Sequence, residues 1–410
     1  MALFHQTVDF LSDSWANQRT QLPLLAITGA SFTLGILLQS LFGGDRHKET
    51  VLVSPRSTVL PGLSEAENRK LPLPNDVLPG ARDVATPYGS IRVYEWGPED
   101  GPKVLLVHGI TTPCIALGGV AHALVDRGCR VMLFDLFGRG YSDCPSDLPQ
   151  DDRLFATQIM LVLASSPISW TGAGSGKFCL VGYSLGGGIA ASFASFFPQL
   201  LSSLVLLAPS GLVRDSQISL QSRLLYSRGL MPESLLGFLV GRRLRAGPLV
   251  APKSKNKHDQ LSAADALTEE LPSQSAAEVQ VLSREYPHIN VPSAVAWQVN
   301  SHPGFVHAFM SSMRYGPILA QRQWGTWARL GEHLSAQNSM SSGNQSEKGL
   351  PSDKVHILCG NNDAIIIKDE FVSDATTVLG GNAVFKFYEA GHEFPSTKYE
   401  EVAAYIWKLL

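Results

Sequence analysis

Several features that mark a specialised chain are scarce in these 410 residues. Neither sign of charge dominates: 33 Lys and Arg stand against 36 Asp and Glu, a formal net charge of -3. Neutralising phosphates takes a concentrated basic excess, so nucleic acid is not an expected partner. Cysteine is sparse and odd in number (Cys114, Cys129, Cys144, Cys179, Cys359), with no C-x-x-C pair. This pattern argues against a disulfide framework or a thiolate metal site and fits buried, reduced thiols. No metal or organic cofactor is expected, and no internal repeat is evident. The 44% apolar content with 17% charged residues is that of an ordinary globular domain, here one of catalytic size with appendages.

Charge is absent altogether from Thr20 to Gly44. The apolar core of that stretch, 22–42, is long enough to cross a bilayer as a helix, so a single-pass anchor is expected behind an N-terminal segment 1–21. A cleavable signal fits less well, because the apolar run is long and follows a mixed leader holding Asp9 and Asp13. Arg46, Lys48 and Arg56 follow the span while only Arg19 closely precedes it, which places the C-terminal domain on the cytosolic side. The endoplasmic reticulum or a lipid droplet would suit such a protein. One sequon, Asn344-Gln345-Ser346, points the other way, but chance accounts for one such triplet. Residues 43–80 carry Pro55, Pro61, Pro72, Pro74 and Pro79 and read as an extended tether.

From Ala81 the pattern becomes regular. "SIRVYEW", "KVLLVHG", "RVMLFDL", "KFCLVGY" and "LSSLVLLAP" read as strands, with helices at "GGVAHALVDRG", at 150–165 and at "LGGGIAASFASFF". Continuous apolar strands alternating with helices predict an α/β class with a mostly parallel sheet covered on both faces. The alternation stops near Leu212 and resumes with the strand "KVHILCG", a helix, the strand "AVFKFYEA" and a last helix from about 396. The core is therefore expected in two parts, 81–211 and 354–410. The insertion between them is too long for a loop. It divides into a cap, 212–330, and a segment rich in Ser, Asn and Gln, 331–353, expected to be disordered.

Gly182-Tyr183-Ser184-Leu185-Gly186 has the form G-x-S-x-G and joins a buried strand to a small-residue helix. That context suits a nucleophile elbow, in which flanking glycines relieve crowding and the helix offers free N–H groups to developing negative charge. A serine needs a base, and the base a carboxylate. "ILCGNNDAII" puts Asp363 just past a strand, and "FYEAGHEFP" puts His392 just past the next. An oxyanion hole would come from the amides of Leu185 and of Ile110, the latter in the loop "VHGITTPC". His108, Gly109, Thr111 and Tyr183 are the expected substrate-binding residues. A phosphate loop at "TGAGSGKF" fails, because Thr171 replaces its first glycine and Phe178 its metal-binding hydroxyl.

Together "VHGITTP", "FDLFGRGYSD", "VGYSLGGG", "CGNNDAII" and "AGHEFP" resemble the α/β-hydrolase superfamily over about residues 81–410, outside the cap and polar insert. The resemblance implies Ser184 as nucleophile, His392 as base, Asp363 as acid and a cap domain in the long insertion. It makes Asp135 a turn former rather than the triad acid. Similar members with an HG loop often carry a tryptophan some eight residues on, where this chain has Gly118-Gly119. Dehalogenases and epoxide hydrolases of the same fold use aspartate as nucleophile, so Ser184 points to esters, thioesters, amides or carbon-carbon bonds. The expected activity is a serine esterase or lipase acting on a small-molecule or lipid ester such as a monoacylglycerol. An acyltransferase, a carbon-carbon bond hydrolase and a noncatalytic scaffold remain open, as does the oligomeric state. Between Leu220 and His258, eight Lys or Arg (Arg223, Arg228, Arg242, Arg243, Arg245, Lys253, Lys255, Lys257) face one acid, Glu233, around "LLGFLVG". Such a basic, apolar cap segment suits an anionic bilayer as well as it suits a solvated lid.

Overall fold

A computed structural model describes residues 50–172, 176–217, 232–246, 281–339, 350 and 354–410. The expected anchor at 22–42 lies outside them, as do most of the basic cap residues. No helix among the described residues is long and apolar enough to cross a membrane.

Eight strands form one sheet: β1 (Ala81–Thr86), β2 (Gly89–Trp96), β3 (Lys103–Val107), β4 (Arg130–Phe134), β5 (Phe178–Tyr183), β6 (Leu201–Leu207), β7 (Val355–Gly360) and β8 (Ala383–Tyr388). Their order is β1-β2-β4-β3-β5-β6-β7-β8. All pairs are parallel except those made by β2, which runs antiparallel to β1 and β4. Every residue of β5 and β7 is buried, which is why both read in sequence as continuous apolar runs.

The crossovers are helical. α1 (Gly118–Val125) follows β3, α2 (Asp152–Ala164) follows β4, and α3 (Leu185–Phe196) follows β5. Asp151 starts α2 by accepting from the N–H groups of Arg153 and Leu154 at 3.1 and 3.2 Å. The cap contributes α4 (Glu233–Arg245), α5 (Val291–Ser301), α6 (Phe305–Tyr315) and α7 (Ala320–Ser339); α8 (Lys368–Val378) and α9 (Tyr399–Trp407) complete the core. α9 packs on α1, and α7 packs on α3 and α8, so the cap shares one hydrophobic core with the sheet. All five cysteines are free and buried.

Two expectations need correcting. The described part of the tether, 50–80, does not run free. Val51–Leu52 pairs with Cys144–Pro145, and Leu73, Val77 and Leu78 are buried. The hydroxyls of Tyr94 and Tyr141 donate to the carbonyls of Asn75 and Leu73. Buried apolar side chains and satisfied backbone acceptors fix this Pro-rich segment on the core. The expected disorder of the polar insert fails over 331–339, which continue α7: Leu330, Leu334 and Gln337 recur at helical spacing and are buried. The rest of that insert, apart from Leu350, lies outside the described residues.

Candidate active site

The site grows from the ends of β5, β7 and β8. At the end of β5 the chain turns directly into α3, and Ser184 takes the turn at φ 54°, ψ -117°. A side chain rarely adopts that conformation, which costs on the order of 1–3 kcal/mol unless the surroundings impose it. Here they do. The Ser184 N–H donates to the Leu207 carbonyl at 2.9 Å, and its own carbonyl accepts from the N–H groups of Gly187 and Ser210, each at 2.9 Å. The flanking glycines are required by space. A Cβ on Gly186 would lie 2.2 Å from the Val107 carbonyl oxygen, and one on Gly182 would lie 2.1 Å from that of Gly186. The first turn of α3 therefore sits against the end of β3, and the N–H of its first residue, Leu185, has no partner within the helix.

Asp363 follows β7 by three residues and His392 follows β8 by four. His392 Nδ1 donates to Asp363 Oδ2 at 2.8 Å, with both side chains fully buried. Asp363 Oδ1 accepts from the N–H groups of Ile365 and Ile366, each at 2.8 Å, which fixes the carboxylate plane. Backbone bonds tie the two loops together: Asn361 N–H to Tyr388 O at 2.8 Å and Asn362 N–H to Ala390 O at 3.0 Å. With Nδ1 committed to the acid, Nε2 is the basic nitrogen. The ring of Tyr183, the residue before the nucleophile, packs on the His392 imidazole with centroids 5.3 Å apart. The structure thus brings Asp363 and His392 into a hydrogen-bonded pair whose imidazole meets the residue before the strained serine.

The loop after β3 is equally fixed. β3 and β5 are neighbours with Val107 opposite Gly182, so Gly109 and Ile110 run beside the serine turn. His108 is placed differently from a substrate-binding residue. Its ring is fully buried, with Nε2 accepting from Leu136 N–H at 2.8 Å and Nδ1 donating to the Gly109 carbonyl at 2.8 Å. Burial, and after it the nearby Arg139 guanidinium, hold its pKa down to about 3, so the ring is neutral. It is a spacer between two strand ends. Thr111 is fully buried as well, its carbonyl accepting from Gln298. Asp135 accepts from Cys114 N–H and Tyr141 N–H at 3.0 Å each, the arrangement of a turn former. Arg139 and Gln298 are buried polar groups at this loop that sequence reasoning missed: Arg139 lay within the quoted "DLFGRGYSD", while Gln298 carries no local signal. Among the described residues no cluster of His, Cys, Asp and Glu is arranged to hold a metal ion.

Comparison with known proteins agrees with this architecture. A family model described as the alpha/beta hydrolase fold matches residues 102–394. An uncharacterized protein of Mycobacterium tuberculosis is 33% identical over 143 residues, 35% of this chain and 39% of that protein. A serine hydrolase-like protein of Mus musculus is 28% identical over 146 residues, 35% of this chain and 44% of that one. The matches thus span less than half the length of these relatives. A hydrolase from Pseudomonas aeruginosa covers 80% of this chain and 97% of its own at a TM-score of 0.50 and 17% identity, a likeness of fold.

Proposed function

We propose, from the premise that the chain belongs to the α/β-hydrolase fold family, that it is a serine hydrolase that cleaves a carboxylic ester through an acyl-enzyme. The observation that carries the reading is the buried Asp363–His392 pair, whose imidazole packs on Tyr183, the residue before a serine held at φ 54°. Ser184 Oγ attacks the carbonyl carbon while His392 Nε2 takes its proton, and the new oxyanion is held by the amides of Leu185 and Ile110. Collapse expels the alcohol, which receives the proton from His392. Water, deprotonated by the same nitrogen, then attacks the acyl-enzyme and releases the acid, returning the proton to Ser184.

The substrate we favour is amphiphilic. α4 exposes Leu235, Phe238 and Leu239 (46, 61 and 39%) next to Arg242, Arg243 and Arg245, a pairing that suits an anionic lipid surface. The uncharged stretch 22–42 adds an anchor to the same proposal. An activity-based fluorophosphonate probe tests the mechanism: the wild-type chain labels and Ser184→Ala does not. Unchanged labelling of that variant overturns the assignment. A panel of esters of increasing acyl length, with and without anionic vesicles, tests the substrate, and indifference to both chain length and vesicles rejects the lipid reading.

A further inference from the structure

Three successive carbonyls leave β3, and each is held by a different buried side chain. His108 Nδ1 donates to Gly109 O at 2.8 Å, Arg139 Nε to Ile110 O at 3.2 Å, and Gln298 Nε2 to Thr111 O. All three side chains are fully buried. A trans peptide sets its N–H antiparallel to its C=O, and no cis bond occurs among the described residues. Pinning the carbonyls of 109, 110 and 111 therefore fixes the direction of the N–H groups of Ile110, Thr111 and Thr112. The first of these is the second oxyanion donor of the proposed mechanism.

Two of the three ties run through the cap. Gln298 belongs to α5, and its Oε1 accepts from Gly140 N–H at 3.0 Å, so one amide locks two loops of the core from above. Arg139 belongs to the loop after β4, and its guanidinium also donates to Ser312 Oγ at 2.8 Å and to Ala308 O at 3.4 Å, both on α6. The same group donates to Phe137 O at 2.9 Å and to Gln150 Oε1 at 3.4 Å. A planar fork of fixed donors is suited to spanning acceptors on separate elements.

We infer that Gln298 and Arg139 are positioning residues that make cap docking and the oxyanion hole one structural unit: the Ile110 N–H itself is set by the His108–Gly109 bond, while Arg139 and Gln298 hold the next two peptides, so that the loop carrying this donor keeps its course only while α5 and α6 are seated. The inference rests on the serine-hydrolase reading. In that reading the donor matters most when the carbonyl oxygen becomes an anion, so loosening the clamp lowers kcat and spares KM.

The test uses the full chain, a nitrophenyl ester and a trifluoromethyl ketone, which adds to the serine as an oxyanion. Gln298→Leu keeps the volume and removes both bonds; the expected result is a kcat lower by about 10- to 100-fold with KM within about threefold. Ketone affinity should fall by the same factor as kcat/KM. Ser312→Ala removes the shorter of the two bonds that tie Arg139 to α6 and leaves the longer one to Ala308 O; it is expected to lower kcat by several-fold and carries the test should Gln298→Leu not fold. Gln298→Asn, which keeps the amide, should recover part of the loss. A folded variant with wild-type kcat, or one whose KM alone changes, overturns the clamp. Fluorophosphonate labelling of the wild type at Ser184 separates the two levels. If labelling occurs and the variants behave as wild type, only the clamp fails; if labelling is absent, the hydrolase reading and the clamp fall together.

Discussion

Lowering the pH from 7 to 5 is expected to destabilise the folded chain through histidines that the fold keeps neutral, and His302 is the clearest of them. It ends α5, is almost fully buried, and links the cap to the core: Nε2 bonds to Ser142 O at 2.8 Å and Nδ1 accepts from Gly304 N–H at 3.0 Å. Accepting at Nδ1 requires the neutral tautomer with its proton on Nε2. Burial lowers its pKa from an ordinary 6.5 to about 4; the Ser142 carbonyl and Asp143 pull upward, and Arg139 adds to the lowering. The sign follows from linkage. Below 6.5 the unfolded chain takes up a proton that the folded chain refuses until about pH 4. The stabilisation is thus complete above pH 6.5 and is lost as the pH falls from there toward 4. Between pH 7 and 5 that amounts to about 2 kcal/mol at 1.36 kcal/mol per pH unit. His108, held to about 3, adds a comparable loss in the same direction. Urea unfolding at pH 7, 6 and 5 measures the effect, and with a slope above about 3 kcal/mol/M for a chain this long the midpoint should fall by roughly 0.5 M per histidine. His302→Gln removes one titration, so its pH dependence should be shallower than that of wild type by one such step. Identical slopes for the two would refute the reasoning.

Two further outcomes follow from the site and the cap. Asp363→Asn preserves shape and an acceptor for the Ile365 and Ile366 amides but removes the charge facing His392 Nδ1. Steady-state ester hydrolysis should then show kcat reduced by roughly 10³- to 10⁴-fold with little change in KM. Trp327 on α7 is fully buried, edge-on to Phe371 with centroids 6.1 Å apart, and its indole lies over the Cα of Gly211, where an added Cβ would come within 2.6 Å of Nε1. Trp327→Ala should cost about 3–5 kcal/mol and, with an unfolding entropy that grows with chain length, lower the melting temperature by roughly 5 °C in a thermal scan.

What the sequence reveals and conceals here follows from how local each physical requirement is. β5 and β7 are legible because a strand covered on both faces must be apolar throughout. β1 is not, since its "ARDVAT" is half-exposed at the sheet edge and carries neither alternation nor a continuous run. Segment 50–80 misleads for a related reason: its prolines look like a tether, while the hydroxyl donors that fix it belong to Tyr94 and Tyr141, farther along the chain. The polar run 331–339 misleads because composition hides the Leu330, Leu334 and Gln337 stripe that makes it helical. The same division runs through the site. Ser184 announces itself because a strained turn demands glycines on both sides within five residues. Asp363 and His392 announce themselves by standing just past consecutive strand ends, where a parallel sheet delivers loops to one edge. His108 was half legible: its place beside Gly109 was visible, but its inward-facing ring was not, because only the approach of Leu136 from the next strand turns it into a spacer. Gln298 left no trace at all, since a glutamine on an amphipathic helix reads as solvent-facing. It becomes part of the site only when α5 is laid across the loops at Thr111 and Gly140. The chemistry of the reacting groups is thus written in short-range backbone constraints, while the alignment of those groups is written in side chains that reach across the cap–core boundary. A search for the determinants of rate in this chain should therefore begin with the buried polar residues of α5 and α6 rather than with further motifs in the core.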